Sequence, residues 1–284
     1  MLIDVHVHVF PKNIAPKIAA VSAEMGVEVG TTIDADGYLE LLDEGLIDVG
    51  LVNEHVANPR LVRTANDYVA TLVARMPGRL YGMAVVGRPD EGSATELTRC
   101  VRELNFVGLK FQGAVVETAP TDPDAIRLWE TALDLQIPVL AHGGPHQEEM
   151  YRHILPNTLF EREHAAPNEW LPVVREFPDL KLILAHLGGA AWYRDDIFAL
   201  LAESPNVYLD TSLWRLGMRS DELVTFIGEV GADRILFGTD YPGSDARKDV
   251  ACFADLPLPA EDRDKIASCN AARLFGLELE RESR

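Results

Sequence analysis

The sequence has few cysteines and no excess of basic residues. Its 284 residues include three cysteines, Cys100, Cys252 and Cys269, which lie far apart and form no CxxC pair. This disfavours a disulfide framework and a cysteine-rich zinc module, and it predicts a reduced, cytoplasmic protein. Lysine and arginine together number 26 against 45 acidic residues, which gives a net charge of −19. Nucleic-acid surfaces need a basic patch, so nucleic acid and anionic membranes are disfavoured as partners.

Long apolar runs are also absent. No stretch is long enough to span a bilayer, and residues 1–8 have the pattern of a folded strand rather than a signal peptide. No GxGxxG follows this first strand, which disfavours a dinucleotide-binding doubly wound sheet. Hydrophobic residues make up 47% of the chain, which is enough for a large core. We therefore expect one domain covering residues 1–284, with a small molecule as its partner.

Short apolar runs alternate regularly with helical patterns along the chain. The runs predict buried strands at 2–10, 47–53, 79–86, 106–113, 137–144, 180–189, 206–212 and 234–242. Apolar residues at helical spacing predict helices at 61–76, 122–135, 168–177, 192–204, 220–231 and about 260–276. This alternation predicts an α/β fold, a (β/α)8 TIM barrel, with a doubly wound open sheet as the alternative. The segments 9–34 and 143–166 are long enough to be lids.

Polar side chains stand at the carboxyl ends of the predicted strands. They are His6, His8, Lys110, His142, His186 and Asp240. Within the opening stretch DVHVH, alternate residues face the same way, so His6 and His8 point to one side. A buried imidazole or carboxylate is costly without a partner, and all strand ends of a barrel meet at one mouth. One divalent metal ion is the simplest common partner. Zn²⁺ is expected, with Mn²⁺, Fe²⁺ and Co²⁺ as alternatives.

Several longer motifs span most of the chain. They are DVHVH (4–8), NDYVATLVARMPGRLYGMAVV (66–86), GLKFQ (108–112), FPDLKLILAHLGG (177–189), NVYLDTS (206–212) and RILFGTDYP (234–242). In these motifs the chain resembles the amidohydrolase superfamily, and more narrowly the amidohydrolase-related family typified by aminocarboxymuconate-semialdehyde decarboxylase. The resemblance implies one metal ion held by His6, His8, His142 and Asp240. It also implies that Asp240 and His186 are catalytic, and that the chain forms a homodimer.

Other residues near the predicted mouth are candidate substrate contacts. The resemblance favours a substrate-carboxylate contact or a salt bridge for Lys110, with carboxylation of its amine as the alternative. Asn53 ends the second predicted strand, and His146 lies in the segment after the fifth. Trp214 and Arg215 follow the seventh strand, where an aromatic ring beside a guanidinium suits a planar carboxylated substrate.

The predicted site supports two chemistries with the same residues. In hydrolysis, metal-activated water attacks a lactone, ester or amide, while Asp240 carries the proton and His186 stabilises the oxyanion. In non-oxidative decarboxylation, Asp240 or His186 delivers a proton to a carbon of an aromatic or unsaturated acid as CO₂ leaves. We expect hydrolysis, because no arginine can be assigned to a leaving carboxylate. Decarboxylation is the first alternative, and a non-catalytic metal-containing, ligand-binding barrel is the second.

Overall fold

Eight short parallel strands form the framework of the computed structural model, which describes residues 1–17, 20, 33–56, 58–144 and 166–277. The strands are β1 (Ile3–His8), β2 (Val49–Asn53), β3 (Leu80–Ala84), β4 (Gly108–Phe111), β5 (Val139–Ala141), β6 (Leu182–Leu184), β7 (Val207–Asp210) and β8 (Ile235–Leu236). Each strand pairs in parallel with the next one along the chain. The predicted (β/α)8 barrel is therefore confirmed.

Backbone hydrogen bonds between β1 and the residues from the end of β8 onward close the sheet. The amide of Val5 donates to the carbonyl of Phe237 at 3.0 Å. The amide of Asp240 donates to the carbonyl of His6 at 2.8 Å. We call this contact of β1 with residues 237–241 the seam of the barrel. It brings two of the predicted metal ligands together from opposite ends of the sequence.

Helices connect the successive strands. They are α1 (Ala35–Asp43), α2 (Val62–Val73), α3 (Ser93–Leu104), α4 (Gly113–Val116), α5 (Pro123–Asp134), α6 (Leu171–Glu176), α7 (Ala190–Glu203), α8 (Ser220–Val230), α9 (Ala246–Asp255), α10 (Ala260–Asp264) and α11 (Asn270–Phe275). The helices predicted from apolar spacing are present, and α1, α3, α4 and α9 are additional to them. Asp122 caps α5, because its side chain accepts from the amide of Asp124. Among the described residues, no helix combines the length and apolar character needed to cross a membrane.

Two apolar clusters pack against the strands, one outside the barrel and one inside it. The larger cluster lies between the sheet and the helices and includes Tyr38, Leu97 and Trp129. The smaller cluster fills the inside of the barrel with Val49, Leu51, Met83, Leu140, Ile183 and Leu236, closed by Leu274 and Phe275 of α11. Leu140 precedes His142 by two residues on the same face of β5. The apolar layer therefore lies directly beneath the polar mouth.

Strand β1 departs from strict alternation. Its pairing with β2 shifts register between Asp4 and Val7. Ile3 and Val5 belong to the inner cluster, whereas Val7 packs in the layer between sheet and helices. Strict alternation would put these three residues on one face, so the strand contains a bulge. As a result, Val5 and the adjacent His6 both lie on the inner side. The expectation that His6 and His8 point to one side is confirmed, since their Nε2 atoms lie 3.2 Å apart.

The observed strands are shorter than the predicted apolar runs. In the run 180–189, β6 ends at Leu184, and a single 3-10 turn covers His186–Gly189. His186 and Leu187 adopt positive φ angles of 58° and 52°. The apolar run in the sequence extends past the end of β6 because the turn that follows is also buried, although the backbone of this turn is not extended. Of the two segments predicted as lids, 9–34 is described at 9–17, 20, 33 and 34, and 143–166 at 143, 144 and 166.

Candidate metal centre

The side chains of His6, His8 and Asp240 converge at the carboxyl end of the barrel. His6 Nε2 lies 3.2 Å from His8 Nε2 and 3.0 Å from Asp240 Oδ1. His8 Nε2 lies 3.2 Å from the same carboxylate oxygen. All three side chains are buried. Because β1 supplies both imidazoles and the residues after β8 supply the carboxylate, this cluster spans the seam.

Hydrogen bonds on the far side of each ring determine which nitrogen carries the proton. The side-chain amide of Asn53 donates to the carbonyl of Val7 at 3.0 Å, so its oxygen is the atom that accepts from His8 Nδ1 at 2.9 Å. His6 Nδ1 donates to the carboxylate of Asp210 at 2.9 Å. A neutral imidazole carries a single N–H. Both Nε2 atoms therefore present lone pairs to the cluster.

These lone pairs meet without a proton between them. Burial, followed by the charge of Lys110, lowers the pKa of His6 well below its ordinary value. The same two causes lower the pKa of His8 to about 3. Both rings are therefore neutral near pH 7, and neither Nε2 can donate to Asp240. Two imidazole nitrogens and a carboxylate oxygen therefore present lone pairs to one point. These three atoms are ligands of the kind that a divalent transition metal ion binds.

His186 and His142 extend this cluster. Ligand atoms of His186, His6 and Asp240 all lie within 4.8 Å of one another. The His6 and His186 rings stack with centroids 5.1 Å apart. His186 Nε2 lies 3.2 Å from His142 Nδ1. The mouth thus contains all of the residues that we predicted as ligands or catalytic groups. The division of roles between His142 as ligand and His186 as neighbour stays a prediction.

Ser212 links His186 to Asp210. Ser212 Oγ lies 2.8 Å from His186 Nδ1, and its hydroxyl donates to Asp210 Oδ1. Because the serine proton goes to the carboxylate, the serine oxygen accepts from His186 Nδ1. Asp210 also accepts from the backbone amide of His186 at 3.0 Å. Burial raises the pKa of Asp210, and the hydrogen bond from Ser212 opposes that shift. The relay assigns the Nδ1 proton of His186 to Ser212, and His186 Nε2 lies 3.2 Å from His142 Nδ1.

Lys110 lies at the inner edge of the cluster. Its Nζ is 2.7 Å from His6 Nε2, and the side chain is buried. Burial lowers the pKa of Lys110 to about 8, while the charges of Asp240 and Asp210 act in the opposite direction. The amine is therefore within reach of any ligand held by the cluster. Substrate contact and carboxylation both stay predictions for this residue.

The remaining predicted substrate contacts have different surroundings. Asn53 is fully buried, and its side-chain oxygen accepts from the His8 ring as described above. Trp214 is buried. Arg215 Nε donates to Asp249 Oδ1 at 2.7 Å. His146 lies outside the described residues. The roles of these residues toward a substrate stay predictions.

One pair of supporting residues was missed by sequence reasoning. Asp210 and Ser212 orient two histidines, yet the stretch DTS was used only as part of a motif. The available signal was the charged residue at the carboxyl end of a buried strand, the same signal that identified Asp240. Asp4, near the start of β1, makes structural hydrogen bonds across the seam. It accepts from the backbone amide of Thr239 at 3.0 Å and from its hydroxyl at 2.7 Å, and thereby anchors the residue before Asp240.

Comparison with known proteins identifies the family of the chain. A family model described as amidohydrolase matches residues 3–277. The chain belongs to the amidohydrolase family. A γ-resorcylate decarboxylase from Polaromonas sp. (strain JS666 / ATCC BAA-500) is 32% identical over 250 residues, covering 76% of this chain and 76% of the relative. A second γ-resorcylate decarboxylase, from Rhizobium sp. (strain MTP-10005), is 30% identical over 253 residues, covering 77% and 76%.

Solved structures share the barrel. A dihydroxybenzoic acid decarboxylase from Polaromonas sp. JS666, with bound manganese and the inhibitor 2-nitroresorcinol, has a TM-score of 0.75 at 25% identity. The match covers 97% of this chain and 97% of that one. A 5-carboxyvanillate decarboxylase from Sphingomonas paucimobilis has a TM-score of 0.71 at 20% identity, covering 98% and 99%, and this likeness concerns the fold alone.

These relatives correct the expected chemistry. The chain is an enzyme of the amidohydrolase superfamily, but its curated relatives at 30% identity or more are decarboxylases. Our expectation of hydrolysis of a lactone, ester or amide is therefore wrong. The physical reason is that the same histidines and aspartate serve both reactions, so the strand-end residues could not separate them. The lack of an assignable arginine was a poor criterion, because a metal ion and a lysine also bind carboxylates.

Proposed function

We propose that this protein is a metal-dependent, non-oxidative decarboxylase of a carboxylated aromatic acid, built on a single barrel domain. The observation that carries this function is the 32% identity with a γ-resorcylate decarboxylase over 76% of both chains. The relative's substrate is a benzoate flanked by two hydroxyl groups. A dihydroxybenzoate is therefore the first substrate to test.

One divalent ion is the proposed cofactor, with His6, His8, His142 and Asp240 as its ligands. Support comes from the lone pairs of both β1 histidines, which face the Asp240 carboxylate at 3.0 and 3.2 Å. The manganese in the Polaromonas enzyme favours Mn²⁺ over the Zn²⁺ expected from ligand types. When bound, the ion supplies positive charge that polarises oxygen atoms of the substrate.

His186 is the proposed proton carrier. Its Nδ1 donates to Ser212, which donates to the Asp210 carboxylate, and this negative charge stabilises a protonated imidazole. The Nε2 proton passes to the ring carbon that bears the carboxylate. The bond from that carbon to the carboxylate then breaks, its electron pair restores the aromatic ring, and CO₂ leaves. One proton is consumed and no redox partner is needed.

Turnover of 2,6-dihydroxybenzoate by manganese-loaded protein tests this function. We expect CO₂ and 1,3-dihydroxybenzene in equal amounts, and in heavy water one deuterium at the ring carbon that lost the carboxylate, measured by NMR. Protein stripped of metal is the matched control and should release no CO₂. A manganese-loaded protein that releases no CO₂ from 2,6-dihydroxybenzoate, 5-carboxyvanillate or other hydroxybenzoates would contradict the function.

A further inference from the structure

The turn that carries Asp240 is held differently by the strands on its two sides. On the β1 side, the amide of Asp240 donates directly to the carbonyl of His6 at 2.8 Å. On the other side, the pairing of β8 with β7 ends at Leu236. A side-chain contact follows, in which the amide of Gly238 donates to the Thr211 hydroxyl at 3.2 Å. Strand pairing with β7 therefore stops before Asp240.

A chain of three side chains continues from the β7 side where the pairing stops. Arg215, in the segment after β7, donates from its Nε to Asp249 of α9 at 2.7 Å. The hydroxyl of Ser244 faces the Asp249 carboxylate and also lies 2.8 Å from the carbonyl oxygen of Thr239. Thr239 is the residue before Asp240. We call Arg215, Asp249 and Ser244 the bridge.

The bridge is largely buried. Ser244 and Asp249 are buried, and the side chain of Arg215 is 28% exposed. Burial raises the pKa of Asp249, and the contacts with Ser244 and Arg215 oppose this shift. A buried carboxylate needs such partners, and hydrogen bonds in surroundings of low dielectric constant hold their groups firmly. The bridge is therefore a stiff connection.

One end of the bridge meets a turn with an unfavourable backbone conformation. Asp240 has a φ angle of 64°, in the left-handed region that residues other than glycine rarely adopt. Such a conformation persists only when the surrounding structure holds it. Asp4 holds Thr239 from the β1 side through a hydrogen bond of 2.7 Å. Ser244 contacts the same residue from the side of α9, so the turn is held on both flanks.

The other end of the bridge starts close to the residues that orient His186. Arg215 follows shortly after Ser212, whose hydroxyl oxygen lies 2.8 Å from His186 Nδ1. The bridge thus connects the segment that orients the proposed proton carrier with the turn that carries the Asp240 carboxylate.

We propose that Arg215, Asp249 and Ser244 are positioning residues, which hold the Asp240 carboxylate in place for the metal ion from the β7 side of the turn. The bridge replaces the strand pairing that ends at Leu236. This inference rests on the metal centre of the proposed function and adds to it residues that touch neither the metal nor the reacting atoms. Loss of Arg215 should therefore act on metal affinity, whereas loss of a substrate contact would leave that affinity unchanged.

Manganese affinity of the full chain, measured without substrate by electron paramagnetic resonance, tests the bridge at Ser244. Ser244→Ala should weaken manganese binding about tenfold, the lower end of the effects of orienting partners, and should change the spectrum of the bound ion. Ser204→Ala is the matched control, because Ser204 is a buried serine at the opposite end of the barrel, before β7. It should change neither quantity.

The same measurement tests the bridge at Arg215. Arg215→Met removes the partner of Asp249 and should also weaken manganese binding about tenfold. Arg219→Met, the same exchange at an exposed arginine paired with Asp221, is the control and should leave the affinity unchanged. The double variant of Ser244 and Arg215 should lose about tenfold in all, because both residues act through one chain of contacts. A loss of about a hundredfold would show two independent roles and would overturn the bridge.

The outcomes separate the bridge from the function. If the wild type decarboxylates hydroxybenzoates but Ser244→Ala keeps its manganese affinity and only unfolds at lower urea concentration, the bridge is overturned and the function stands. If no CO₂ forms and Ser244→Ala still weakens manganese binding relative to Ser204→Ala, the bridge stands and the function fails. A wild type that binds no manganese overturns both. Should Arg215→Met not fold, Ser244→Ala decides.

Discussion

At the scale of single residues, the position of the proton on each imidazole decides what the site can do. Exchanging a ligand and exchanging the proton carrier should therefore have different effects. His6→Ala removes one nitrogen from the cluster, and we expect loss of manganese together with loss of activity. His186→Gln should retain manganese and lower kcat by about 10²- to 10⁴-fold, the usual contribution of a general acid. Metal analysis and kinetics on both variants check this. Full manganese content in His6→Ala would refute its assignment as a ligand.

The relay through Ser212 makes a second residue-scale prediction. Ser212→Ala removes the acceptor of His186 Nδ1, while Asp210 still accepts from His6. We expect kcat to fall about 10- to 100-fold, the effect typical of orienting partners, with manganese content unchanged. The pH profile of kcat should also move, since the protonated form of His186 loses its stabilising partner. Thr225→Ala removes an exposed hydroxyl on α8 and should alter neither measurement.

Glu54 makes a prediction about stability against pH. Burial raises the pKa of this carboxyl from 4.5 to about 7. The native state therefore holds a proton that the unfolded chain releases above pH 4.5, and stability is lost as the pH rises through 7. Glu54→Gln cannot ionise, so both proteins should be equally stable near pH 4.5. At pH 8 the variant should be more stable by about 1 kcal/mol, a figure reduced for partial exposure. Urea denaturation at both pH values measures the difference, and a pH-independent difference would contradict the assignment.

At the scale of elements, the turn after β8 holds the carboxylate of Asp240 in place. A Cβ at Gly243 would lie 2.5 Å from Asp240 Oδ2, closer than such atoms approach in proteins. Gly243→Ala should therefore displace the carboxylate and lower manganese affinity by more than about tenfold, the scale of effects on ligand orientation. Titration with manganese measures this. Gly228→Ala on α8 is the control, because a Cβ there meets nothing within 4 Å. Equal affinity in both variants would show that Asp240 tolerates the shift.

How far an element could be predicted depended on whether its partners are near in sequence. The strands and the cap of α5 followed from local patterns, since alternation, apolar runs and an Asp before Pro act within a few residues. The metal cluster followed because a charged residue at the end of a buried strand needs a partner. The bulge in β1 and the contact of His6 with Asp210 did not follow. Both depend on contacts across the barrel, and no local pattern encodes the far partner.

At the scale of the whole molecule, the barrel separates packing from chemistry along its axis. The inner apolar cluster, closed by α11, supports the structure below, and the polar residues of the candidate site meet at the carboxyl ends of the strands. The residues that orient the histidines and Asp240 come from β1, β2, β7 and the turn after β8. The geometry of the mouth therefore depends on the closure of the barrel rather than on any one loop. Substitutions at the mouth should therefore change activity more than they change folding.

Metal binding should stabilise the whole barrel, because its proposed ligands lie on both sides of the seam. An ion bound only by the native state at 100 times its Kd adds about 2.7 kcal/mol. For a chain of this size that corresponds to roughly 5 °C in Tm. The net charge of −19 also attracts divalent cations without a specific site. His6→Ala has the same formal charge and lacks one ligand, so it separates the two effects. We expect manganese to raise the Tm of the wild type by this amount, reversibly with a chelator, and to raise that of His6→Ala far less. Equal shifts in calorimetry would assign the effect to general charge screening and not to the proposed centre.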